Sequence, residues 1–298
     1  MKLVRFSSSK IKSYGILDKD QVICLPILAK MLEQPFPASL ENLISQGMEE
    51  PSIEHLIQNA PRTSLGKAML PLGKVKLQAP IAMPPKIICL GLNYKDHAAE
   101  QGKNPPDEPV IFMKPHTTII GPNENIVKPK FVKQLDYEAE LAIVMGKEAK
   151  NFSVNDAKSC IFGYTILNDV SARDIQFKDK QWTRGKSFDT FAPTGPCITT
   201  TSQIKNPANL RVCTWVNKEP RQNSNTQNMV FDVFEIVHHL SCVMTLKPCD
   251  IIATGTPAGV GFAMKPKPKF LHDGDDIEIE IEGIGILRNK VLEETPTP

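Results

Sequence analysis

Apolar and polar positions alternate along several short stretches of the chain, and each such stretch predicts a strand. The clearest is near the end, where Ile277, Ile279 and Ile281 alternate with Glu278, Glu280 and Glu282, the pattern of a half-buried strand with one wet face. Lys86–Gly91, Val110–Lys114, Glu138–Met145, Phe162–Asn168, Leu210–Asn217 and Gly285–Val291 also read as strands. One helix stands out: Asp232 and Glu235 form a capping-box variant ahead of Val233, Ile236, Val237, Leu240, Val243 and Met244 at helical spacing. A shorter helix is predicted to start at Ser153, with Asp156 three residues on. In residues 1–70, short strands give way to short helices over Pro26–Leu32 and Leu40–Ile44, the second capped by Ser39. Strands outnumber helices without alternating regularly with them, which predicts an α+β fold.

The segment 71–86 carries four prolines and reads as an extended connector. The expected organisation is a small N-terminal α+β domain over 1–70, a Pro-rich connector over 71–85 and a main domain over 86–298. The opening residues up to Tyr14 are basic and Ser-rich with no acid, the composition of a targeting peptide. Lys2–Phe6 also alternates like a first strand, so both readings stand.

Composition narrows the function classes. With 298 residues, 41% hydrophobic and 23% charged, the chain has the make-up of a globular protein with a sizeable core. A formal net charge of +2 supplies no global field for nucleic acid or a membrane surface. No run of ~18 apolar residues is present to span a bilayer. Seven scattered cysteines, none spaced as CxxC, argue for a reducing compartment and against a disulfide framework or a structural zinc site. The expected setting is soluble, in the cytoplasm or the mitochondrial matrix.

Candidate chemistry concentrates in Asp136-Tyr137-Glu138-Ala139-Glu140. On a strand these three carboxylates share one face, where they repel unless a positive charge lies between them. A solvated edge-strand face is one reading and a metal site the other. Asp169 favours the second, since it ends the apolar run Phe162–Asn168, where a carboxylate needs a partner. An all-oxygen site of this kind suits Mg²⁺, with Mn²⁺ or Ca²⁺ as alternatives, better than Zn²⁺. His238 and His239 are adjacent on the amphipathic helix and read as packing and surface residues.

Read in order, Gly91–Glu100, Phe112–Pro115, Asp136–Leu141, Asn168–Asp174, Gly185–Asp189 and Thr254–Gly261 resemble the fumarylacetoacetate hydrolase superfamily over about 86–292. The resemblance implies a mixed β-sheet roll, a small N-terminal domain and a homodimer. It implies Glu138, Glu140 and Asp169 as metal ligands, with Asp136 behind them. It places Arg173, Gln176, Lys186 and Thr256 in the substrate pocket, Lys186 as an oxyanion stabiliser. It implies His97 and Glu100 as a catalytic pair on a lid helix that orders with substrate, and i, i+3 spacing lets the carboxylate orient the imidazole. The Thr254–Gly261 turn lacks the Gly-Lys-Ser/Thr ending of a phosphate loop; close backbone approach to substrate at Thr256 is expected instead.

The implied substrate is a small 2-oxo acid reacting through its enolate, which leaves tautomerisation, decarboxylation and carbon–carbon hydrolysis open. Lys180-Gln181-Trp182, Thr190–Pro196 and the basic, Pro-rich stretch Lys265–Phe270 resemble a branch associated with oxaloacetate keto–enol tautomerisation. Acylpyruvate or fumarylacetoacetate-type hydrolysis is the first alternative and decarboxylation the second.

Overall fold

The computed structural model describes residues 1–295. Its fold is α+β with large mixed sheets. Along the main sheet the strands run Met69–Pro71, Gln21–Cys24, Lys12–Asp18, Lys2–Ser7, Ala192–Thr200, Ile161–Asn168, Ala139–Met145, Ile251–Ala253, Ile87–Gly91 and Val110–Lys114. A five-stranded sheet, ordered Glu219–Asn225, Arg211–Val216, Asp276–Ile281, Gly285–Glu293 and Asn125–Lys128, packs against it. Pairing is mostly antiparallel; Ile251–Ala253 runs parallel to Ile87–Gly91, and Gly285–Glu293 parallel to Asn125–Lys128.

One core cluster lies between these sheets, where each turns an apolar face inward, and a second packs the N-terminal helices against the main sheet. Ile277, Ile279 and Ile281 are buried in one cluster with Ile166, Cys197 and Leu287, while Glu278 and Glu280 keep contact with solvent. Ser39 accepts from the Asn42 amide at the start of helix Leu40–Ser45, and Ser153 from the Asp156 amide at Val154–Ala157. Both halves of the capping box form at helix Val233–Val243. Lys2–Ser7 is a strand within the main sheet, paired with Lys12–Asp18, Lys76–Gln78 and Ala192–Thr200. All seven cysteines are free. Among the described residues no helix is long and apolar enough to cross a membrane.

One central strand was not expected from the pattern. Ala192–Thr200 is buried along its whole length, yet Pro193, Gly195 and Pro196 read as a turn. Proline cannot donate to a ladder, and Pro196 falls where the register with Ile161–Asn168 shifts, between the pairs Ile166–Gly195 and Tyr164–Thr199.

Candidate metal centre and substrate pocket

The strand Ala139–Met145 is hydrogen-bonded on both sides, to Ile161–Asn168 and to Ile251–Ala253. Glu140 therefore stands inside the main sheet, and the solvated-edge reading of the acidic face is excluded. Glu138 is 5% exposed; Glu140 and Asp169 are fully buried. The Asp169 amide donates to the Glu138 carbonyl at 2.9 Å, which sets these two at neighbouring strand ends. One carboxylate oxygen from each of Glu138, Glu140 and Asp169 lies within 4.8 Å of the others.

Asp136 does not join them, although strict alternation puts it on the same face. The strand is interrupted at Tyr137 and Glu138, and Leu135–Asp136 pairs instead with Ser171–Ala172. Its carboxylate accepts from the Gly261 and Phe262 amides at 2.7 and 3.1 Å and from Arg173 Nε at 2.9 Å. Arg173 also donates to Glu138 Oε1 at 2.6 Å and to Gln176 Oε1 at 2.8 Å. Three of the five guanidinium N–H groups thus go to protein acceptors, and Arg173 holds Glu138 and Gln176 in place.

Two lysines complete the cluster. Lys186 Nζ donates to Glu138 Oε2 at 2.7 Å and to Asp169 Oδ2 at 2.5 Å. Lys114 Nζ, also buried, donates to Asp169 Oδ1 at 2.5 Å. The sequence blocks included Lys114 without assigning it a role; its contact crosses 55 residues, and only the fold reveals it. Four carboxyl groups (Asp136, Glu138, Glu140, Asp169) face three cations (Lys114, Arg173, Lys186), so one carboxyl is left without a cation.

The unmatched carboxyl is that of Glu140. Burial pushes its carboxyl well above the usual carboxylate range, with Asp169 and Glu138 adding to the effect. Burial acts the same way on Glu138, but Lys186 and Arg173 outweigh it and hold that carboxyl well below the usual range. Glu140 Oε2 accepts from the Gly255 amide at 2.8 Å, whereas Oε1 is buried without a partner. An orphaned carboxylate oxygen on a residue grouped with two other carboxylates, in an all-oxygen donor set, fits a hard divalent cation.

The Thr254–Gly261 turn lies across this centre. Gly255 has φ +93°, and a Cβ there would stand 2.9 Å from Asn93 Cβ, so the amide reaches Glu140 only on glycine. Thr256 donates its hydroxyl to the Ala139 carbonyl at 3.0 Å and accepts from Gln222 at 2.8 Å. The hydroxyl is therefore used in holding the turn.

His97 comes from the short helix Lys95–Glu100 and is buried. Its Nδ1 lies 2.6 Å from Glu100 Oε1, while Glu100 Oε2 accepts from the Gly259 amide at 2.9 Å. A carboxylate accepts only, so Nδ1 carries the proton and the neutral ring keeps its lone pair on Nε2. The Gln101 side-chain amide lies 2.8 Å from that Nε2, a residue no sequence motif singled out. Asp96 anchors the helix through the Ser224 hydroxyl at 2.6 Å, and Asn93 through the Thr254 carbonyl at 2.8 Å. Past Gly102, the left-handed turn leads into exposed Lys103, Asn104 and Pro105. Residues 93–105 are expected to exchange amide protons more slowly once Mg²⁺ and oxalate, a chelating 2-oxo acid mimic, are added. Equal exchange with and without them, measured by mass spectrometry, would rule out closure.

One cavity of about 90 Å³ is lined by Glu138 together with His97, Arg173, Gln176, Lys186 and Thr256. Of the other expected site residues, Glu100 stands directly behind His97, and Glu140 and Asp169 lie beside Glu138 outside the lining. His238 and His239 lie apart on helix Val233–Val243, with His238 Nδ1 2.6 Å from the Phe152 carbonyl oxygen.

Residues 86–292 match the fumarylacetoacetate (FAA) hydrolase C-terminal family. The chain is 43% identical over 288 residues to oxaloacetate tautomerase YisK of Bacillus subtilis, covering 93% of this chain and 94% of that one. It is 42% identical over 262 residues to the mitochondrial oxaloacetate tautomerase FAHD2A of Bos taurus, covering 87% and 82%. Its fold superimposes on a Sphingobium maleylpyruvate hydrolase in complex with manganese(II) and pyruvate, with a TM-score of 0.79, 31% identity and coverage of 99% and 100%. With the match spanning over two thirds of its length, the chain belongs to the fumarylacetoacetate hydrolase family.

Proposed function

We propose that this protein is a divalent-metal-dependent oxaloacetate keto–enol tautomerase. The observation that carries the proposal is the buried Glu138–Glu140–Asp169 cluster, whose Glu138 lines one small cavity together with His97 and Lys186. The tautomerase relatives support the choice of substrate. Glu138, Glu140 and Asp169 would hold Mg²⁺, or Mn²⁺ or Ca²⁺ in its place. When bound, such an ion supplies Lewis-acid polarisation of the 2-oxo acid's oxygens.

The protein's own groups do the rest. His97, with Nε2 unprotonated and Nδ1–H held by Glu100, takes a proton from C3 and returns it to the keto oxygen, or runs the reverse. The Gln101 amide must leave Nε2 for this transfer. Lys186 places a fully buried ammonium beside the charge that develops on the enolate. Arg173 fixes Glu138 and Gln176, and the Thr256 turn brings backbone against the substrate. The partners proposed are a small 2-oxo dicarboxylic acid and, as the family resemblance implies, a second copy of the chain. The compartment proposed is the cytoplasm or the mitochondrial matrix.

The His97–Glu100 pair favours one second reading, an acylpyruvate or fumarylacetoacetate-type hydrolase, because it is also the arrangement that activates water. Decay of enol-oxaloacetate absorbance with Mg²⁺ present, set beside acetylpyruvate hydrolysis by the same sample, separates the two. The expected result is fast tautomerisation, abolished by EDTA and restored by Mg²⁺ or Mn²⁺. Acetylpyruvate cleavage without accelerated enol decay would establish the hydrolase instead. Oxaloacetate loss with release of carbon dioxide would mark a decarboxylase.

A further inference from the structure

The far wall of the substrate cavity is a tryptophan. From the carboxylate cluster outward, Lys186 Nζ stands 4.8 Å from the centroid of the Phe112 ring. Phe112 meets Trp182 edge to face, with centroids 5.8 Å apart. The indole in turn lies on Gly91: a Cβ there would stand only 2.0 Å from Trp182 Cζ3 and 2.6 Å from Cη2. Phe112, Trp182 and Gly91 all line the cavity that Glu138 and Lys186 enter. Trp182 follows the exposed Lys180 and Gln181 and is half-buried, so it closes the cavity rather than belonging to the deep core.

The space left is small. The cavity's volume of about 90 Å³ is below the roughly 150 Å³ that admits a benzene ring and well below the ~300 Å³ where ordinary ligand pockets begin. We propose that Trp182, seated in the notch left by Gly91, sets substrate length and confines this site to 2-oxo acids of no more than about five carbons. The inference rests on the reading of the site as one for 2-oxo acids, and adds which residue selects among them. A longer acid bound by the same end would have to push the indole off both Phe112 and Gly91. Against an apolar wall of this kind, an added methylene changes affinity by roughly 10–200-fold.

Calorimetric titration in Mg²⁺ tests this without turnover, using oxalate, 2-oxoglutarate and 2-oxoadipate on the full chain and on Trp182→Ala and Trp182→Phe. Oxalate, too short to reach the wall, is expected to bind all three proteins within about twofold. In the wild type, 2-oxoadipate is expected to bind at least ~10-fold more weakly than 2-oxoglutarate. Trp182→Ala should bring the two within about threefold, with Trp182→Phe between. Should Trp182→Ala lose oxalate as well, its fold is compromised, and Trp182→Phe alone decides by the same ratio. Oxalate binding in the wild type together with an unchanged 2-oxoglutarate to 2-oxoadipate ratio across the variants would overturn the gate and leave the 2-oxo acid reading intact. Failure of the wild type to bind oxalate with Mg²⁺ would overturn both.

Discussion

Glu140→Gln is expected to abolish divalent-metal binding while making the metal-free protein harder to unfold. Glu140 is the one member of the cluster with no cationic partner; its Oε1 is buried alone and its Oε2 has only the Gly255 amide. Burial, Asp169 and Glu138 raise its folded-state pKa above the value it has in the unfolded chain. The folded state therefore holds a proton that the unfolded state releases. Metal-free stability falls as pH rises above the unfolded pKa, and the loss is complete once the folded pKa is passed. A neutral amide removes that penalty and can still accept from Gly255. Asp169→Ala should also lose the metal, but with the opposite effect on stability. It strips the carboxylate partner from Lys114 and one of two from Lys186, both buried, and breaking such a pair by removing one partner costs roughly 3–5 kcal/mol. Urea unfolding in EDTA across pH 5–8, with titration of Mg²⁺ and Mn²⁺, measures both effects. Metal binding retained in Glu140→Gln would remove Glu140 from the ligand set, and a stability loss like that of Asp169→Ala would overturn its reading as an unpaired buried acid.

The contrast between these two acids was only half legible in the sequence. That Glu138 and Glu140 share a face follows from the two-residue period of a strand. That the face lies inside the sheet does not, because an acidic strand face reads the same at an edge, and only pairing with Ile251–Ala253, over a hundred residues on, closes the other side. Long-range pairing also hid Lys114, whose partner Asp169 is set by the fold. The period itself misled at Asp136, where the strand breaks and the carboxylate turns to Arg173. Local signals fared better. The Ser39 and Ser153 caps and the Asp232–Glu235 box depend on residues within one helical turn, and all three form. Ala192–Thr200 escaped notice because proline and glycine carry a strong local preference that burial overrode.

The largest purely catalytic effect is expected from His97→Ala. No nitrogen of this ring belongs to the carboxylate cluster: Nδ1 is taken by Glu100 and Nε2 faces Gln101. Binding of Mg²⁺ and of oxalate should therefore survive, while turnover falls by roughly 10²–10⁴, the usual contribution of a positioned acid–base group. The size of the loss depends on the reaction. Hydrolysis should suffer most, since attack by water needs a base. Decarboxylation should suffer least, because carbon dioxide leaves without proton abstraction. Tautomerisation should fall between, with the Lys186 ammonium able to protonate oxygen but, already charged, unable to take the proton from C3. Measured together in this one variant, the three rates distinguish mechanism as well as site. Loss of Mg²⁺ binding would mean that His97 is a ligand after all. Undiminished tautomerase and hydrolase rates would move the proton carrier off the Lys95–Glu100 helix and onto another group in the cavity.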